Sequence, residues 1–65
     1  MMELTPREKT VRAYLCKGFT NKEIAKEMKL SPRTIEDHRV NIFKKLKVRN
    51  IVELVRQFYG IEDAA

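Results

Sequence analysis

The stretch that decides the fold is TNKEIAKEMKLSPRTIEDHR, running from Thr20 to Arg39. Its opening TNKE sets Thr20 as an N-cap and Glu23 three residues later. That is a capping box, in which each side chain satisfies a backbone N–H the helix would leave open. SPRT repeats the signal, with Ser31 as cap and Pro32 at the first helical position, where a missing N–H costs nothing. Only Lys29 and Leu30 separate the end of the first helix from the cap of the second. So short a link forces a sharp angle, giving a helix-turn-helix over about 20–39. Lys29 sits where glycine often serves because it accepts φ > 0, and a lysine there costs about 1 kcal/mol.

The same punctuation extends outward. LTPRE offers Thr5 as cap, Pro6 just inside and Glu8 three residues on, and NIVE offers Asn50 and Glu53. Gly18 and Gly60 stand where helices should stop. The starts and stops predict helices over 6–17, 21–28, 32–46 and 51–59. With no period-two strand pattern, repeat or low-complexity tract, the expected fold is all-α, four helices in one domain over residues 1–65.

A chain of 65 residues buries a marginal core. Cys16 is its one cysteine, so no disulfide can staple it. Cys16 and His38 are its only strong sulfur or nitrogen ligands, too few for a structural metal, and no cofactor is expected. No apolar run approaches the roughly 20 residues of a membrane span and no signal-peptide pattern opens the chain. The expected location is the cytoplasm, with helix packing and association with another chain supplying stability.

The net charge of +5 is concentrated. Residues 1–28 and 50–65 cancel, at +2 against −2. Residues 29–49 carry Lys29, Arg33, Arg39, Lys44, Lys45, Lys47 and Arg49 against only Glu36 and Asp37. Such a cluster favours a polyanion or an anionic surface, although a solvated basic face has the same composition.

In the first helix, Val11, Tyr14 and Leu15 form a core stripe, with Cys16 beside them as a small packing residue. Ile24, Ala25 and Met28 repeat the stripe in the second. At about 100° per residue, Ile35, Ile42 and Leu46 share the inner side of the third helix, flanked by His38 and Phe43. Arg33, Glu36, Asp37, Val40 and Lys44 lie opposite, with Lys47 just beyond the end. A catalytic carboxylate pair needs a pocket and a raised pKa, which an exposed helix face does not supply. Outward carboxylates can instead accept from cytosine N4, and a valine can touch a thymine methyl. Solvation, or pairing with Arg33 and Lys44, is the plainer reading of Glu36 and Asp37. His38 is expected to be packed and hydrogen-bonded. No nucleophile–histidine–acid arrangement or phosphate-cradling loop accompanies it, so no enzyme is expected.

These residues closely resemble the LuxR-type (GerE-like) DNA-binding domain of bacterial transcription regulators. The likeness runs from LTPRE through GFTNKEIAKEMKLSPRTIEDHRVNIFKKLKV to VELV, and SPRTIEDHR looks especially like response-regulator output domains. The resemblance implies four helices, the third entering the major groove of double-stranded DNA and the fourth making a homodimer. It implies base-facing roles for Glu36, Asp37 and Val40, to which the face reading adds Arg33 and Lys44. It also implies phosphate contact or support at Lys22, Thr34 and Lys45, joined by Arg39 among the bases of the segment. Val52, Val55 and Tyr59 are the expected dimerisation surface, with Ile51, Leu54 and Phe58 serving the core. RNA polymerase is a further possible contact.

Arg12 and Lys47 depart from the family pattern, the first where an apolar residue is usual and the second where glycine is common. With no receiver or signal-binding segment before it, the chain reads as an autonomous small regulator or an excised output domain. Two alternatives share these features. One is a sigma-factor region-four-like domain, which has the same opening but does not usually show the T-I-x-x-H-R run. The other is a protein-binding module that pairs with a larger regulator through its fourth helix.

Overall fold

The computed structural model describes residues 3–60. Four helices follow in order: α1 (Pro6–Cys16), α2 (Asn21–Met28), α3 (Pro32–Leu46) and α4 (Ile51–Tyr59). Each begins at its expected cap. Thr5 Oγ1 accepts from the Glu8 N–H at 3.1 Å while Glu8 Oε1 accepts from the Thr5 N–H at 2.8 Å. Thr20 and Glu23 repeat the exchange at 3.2 and 2.8 Å. At α4 only half of it forms. Asn50 Oδ1 takes the Glu53 N–H at 2.9 Å, but the Glu53 carboxylate turns to Arg49, accepting from its backbone N–H at 2.7 Å and its guanidinium at 2.9 and 3.1 Å.

The helix ends show two compromises. Lys29 and Lys47 both close their helices in the left-handed region, each at φ 56°. Gly60 closes α4 at φ 69° without such strain. α1 stops one residue earlier than expected, with Lys17 as its cap and Gly18 following at φ 89°.

α3 packs against both α1 and α2, and α4 lies on α1. Between them sit Leu4, Val11, Leu15, Ile24, Ala25, Ile35, Ile42 and Leu54. The stripes read from periodicity supply most of this core, while Tyr14, Met28, Leu46 and Ile51 close its edges, half-buried. Ala25 is buried in this core, a small residue on the helix that packs against α3.

One core expectation is corrected. Phe58 is 37% exposed rather than buried, because it occupies the last turn of α4 and meets Arg12 of α1, whose guanidinium lies 5.2 Å above its ring. The departure at Arg12 is thereby accommodated. Its stem is half-buried and its charge is spread over an aromatic face, although its Nε is buried without a hydrogen-bond partner. Cys16 packs against the core, and burial pushes its thiol pKa up, an effect the nearby Arg12 charge opposes.

Candidate nucleic-acid interface

α3 owes its orientation to its buried side. Ile35 and Ile42, two turns apart, are fully buried and anchor the helix against its neighbours. That anchoring leaves Arg33, Glu36, Asp37, Val40 and Lys44 exposed together on the outer side. Val40 is 52% exposed, an apolar side chain left in water in the middle of a charged face. Within the face, Arg33 Nε meets Asp37 Oδ1 at 3.4 Å, one turn along.

The start of α3 differs electrostatically from the other helix starts. α1, α2 and α4 each carry a glutamate in the first turn, whereas α3 carries none. Thr34 stands at the equivalent position, its N–H given to Ser31 Oγ at 3.2 Å and its hydroxyl 2.9 Å from the same oxygen. The positive end of the α3 dipole is therefore not offset by a local carboxylate.

Further along, the Arg39 guanidinium lies 5.3 Å from the centre of the Phe43 ring, half-buried by that stacking. Arg39, Val40, Phe43, Lys44, Val48 and Arg49 line a shallow groove of about 340 Å³ beside the outer face. Phe43, Val48 and Arg49 were not among the expected site residues. Arg49 could have been read from its place in the basic segment 29–49; the groove itself depends on how the segment after α3 folds back. Lys22 is exposed on α2.

Lys45 departs from its expected position. Its ammonium turns inward, donating to Glu8 Oε1 at 2.7 Å and, more weakly, to the Glu3 carbonyl at 3.4 Å. Glu8 is only 4% exposed and cannot be left there charged without a partner. Lys45 thus ties α3 to α1, supporting the outer face rather than extending it. The Lys45 hydrogen bond, followed by that from the Thr5 backbone, holds the Glu8 carboxyl below its ordinary pKa of 4.5 despite the opposing effect of burial. His38 is half-buried, with Nε2 buried and unpartnered, so it is packed as expected but without a hydrogen bond at that nitrogen. Among the described residues no group of three or more His, Cys, Asp or Glu side chains could hold a metal ion. No helix among them is long and apolar enough to cross a membrane.

On α4, Val52 and Tyr59 are 55% and 56% exposed, with Val55 half-buried between them. The Phe58 and Tyr59 rings meet edge to face at 5.0 Å.

Comparison with known proteins gives this arrangement a family. Residues 2–58 match the model of bacterial regulatory proteins of the luxR family. The chain is 52% identical over 54 residues to the Fimbriae Z protein of Salmonella typhimurium (strain LT2), covering 83% of this chain and 26% of that protein. It is 48% identical over 56 residues to the transcriptional regulatory protein UhpA of Escherichia coli (strain K12), covering 86% of this chain and 29% of UhpA. It is 47% identical over 53 residues to the transcriptional regulatory protein FixJ of Bradyrhizobium diazoefficiens, covering 82% of this chain and 26% of FixJ. The chain thus spans between a quarter and a third of the length of these relatives. No solved structure matches it significantly. With the helix-turn-helix in place and a family model matching nearly its whole length, the chain belongs to the luxR family of bacterial regulatory proteins and is a DNA-binding domain of the kind found in its transcription regulators.

Proposed function

We propose that this domain binds double-stranded DNA sequence-specifically as a homodimer, with α3 in the major groove, and serves as the output domain of a transcription regulator. The observation that carries this reading is the outer face of α3. Arg33, Glu36, Asp37, Val40 and Lys44 project together from a helix locked on its other side by Ile35 and Ile42. A helix presented in this way fits the major groove, where donors, acceptors and thymine methyls distinguish all four base pairs.

Lys22, Arg39 and the amide ends of α2 and α3 serve the phosphates that flank the groove. Thr34, already bonded to the Ser31 cap, holds the start of α3 in shape beside them. Lys45 acts from behind through Glu8. The exposed Val52 and Tyr59 on α4, with Val55 between, form the surface for a second copy. A two-fold dimer then reads inverted half-sites about one helical turn apart.

The same α4 surface suits a larger regulator of this family, which is the second reading. A panel of promoter fragments in a gel-shift assay separates the two. The chain alone shifts fragments if it reads DNA, and leaves them unshifted if it acts only by pairing with another protein.

A further inference from the structure

We propose that Asp37 is a positioning residue rather than a base reader: it holds Arg33 as a fork for a guanine, so that the two side chains form one unit of sequence discrimination. This rests on the DNA reading above.

The ion pair has a specific polarity. Asp37 Oδ1 engages Arg33 through Nε, the nitrogen nearest the stem, at 3.4 Å. A guanidinium is planar, with five N–H donors in fixed directions. A carboxylate on the Nε side leaves the Nη1–Nη2 edge directed away from it. That edge presents the two parallel donors that guanine O6 and N7 accept in the major groove. Arg33 is also the second residue of α3, in the part of a recognition helix that reaches base edges.

Helix stability does not account for the pair. An acid placed four residues before a base is the favourable order, and here the base comes first. The cation moreover sits in the first turn, facing the positive end of the helix dipole, where α3 has no carboxylate. Both partners are largely exposed, where such pairs add little. The arrangement instead gives Asp37 a tolerable place beside phosphates, since its charge is met by Arg33. It also restricts a long side chain before binding, which lowers the ordering cost of contact.

The test uses the full 65-residue chain. A randomised duplex pool is enriched for binding, and every single base-pair variant of the enriched sequence is then measured by competition. Arg33→Ala is expected to lower discrimination at one G·C pair by about tenfold. Asp37→Ala is expected to lower discrimination at that same pair by about twofold or more, and to add nothing further when Arg33 is already alanine. Asp37→Asn, which removes the charge at nearly unchanged shape, should lose the effect as Asp37→Ala does, because the contact is an ion pair. Both residues are exposed, and an unchanged helical circular dichroism spectrum checks that the fold is intact. Loss at a different base pair on Asp37→Ala shows direct reading by the carboxylate and overturns the proposal, as does full discrimination at the Arg33 pair. A wild-type chain that enriches no sequence overturns the DNA reading itself, and this proposal with it.

Discussion

Lys45 Nζ and Glu8 Oε1 lie 2.7 Å apart, joining the last turns of α3 to the first turn of α1 across 37 residues of chain. The same Glu8 oxygen receives the Thr5 N–H at 2.8 Å, so one carboxylate both caps α1 and fixes the rotation of α3. Glu8→Gln is expected to cost about 1–3 kcal/mol, since the amide oxygen can still accept from Lys45 and Thr5 but the half-buried Lys45 ammonium loses its counter-charge. Urea denaturation followed by circular dichroism measures this, and an unchanged midpoint would show that the pair carries no stability.

The pH dependence follows from the same pair. The Glu8 pKa in the folded chain lies below its ordinary 4.5, so the unfolded chain binds the proton first. The stabilisation is fully present above that value and is lost as pH falls through the lower folded pKa. The wild type should therefore lose its advantage over Glu8→Gln in acid, whereas the difference should hold steady between neutral pH and about pH 6.

Lys44 and Glu36 share a face but should differ in kind. Lys44→Ala is expected to weaken binding to cognate and scrambled duplexes alike and to reduce the salt slope by about one unit for each phosphate it no longer neutralises. Glu36→Ala should leave binding to scrambled DNA equal or tighter while discrimination at one base pair falls by about 1–3 kcal/mol. Equal weakening of both duplexes by Glu36→Ala would make that residue structural.

Salt dependence tests the interface as a whole. With about four phosphates neutralised per protomer, log K against log salt should fall with a slope of about −3.5 for each protomer bound. An affinity that barely moves with salt contradicts a phosphate-lined site.

Val52→Glu should abolish cooperative binding to a probe with two half-sites while the isolated domain stays folded, because Val52 is exposed and makes no part of the core. Cooperativity that survives the change would move the dimer surface away from α4.

Lys29→Gly and Lys47→Gly remove a side chain from left-handed backbone at φ 56°. Each is expected to stabilise the fold by about 0.5–1 kcal/mol, read as a raised denaturation midpoint. A lowered midpoint would mean that the lysine side chain contributes more than the strain costs.

The helices, their caps and the angle between α2 and α3 follow from the sequence alone. Each cap pairs groups three residues apart, and a two-residue link leaves little conformational choice. The strained end at Lys29 is legible for the same reason, as are the spacing of Arg33 to Asp37 and the inner stripe of Ile35 and Ile42, whereas Lys47 is marked only by the family resemblance. What the linear pattern does not give is the partner of Lys45, although periodicity already places its neighbour Lys44 on the outer side. The two lysines are adjacent and identical, yet separated by about 100° around the helix axis. Only the packing of α3 on α1 brings Lys45 onto Glu8. The pairing of Arg12 with Phe58 likewise joins residues far apart in sequence, through the packing of α1 on α4. Such pairings leave no local periodicity, because they are selected by the burial of the whole core rather than by the conformation of any one turn.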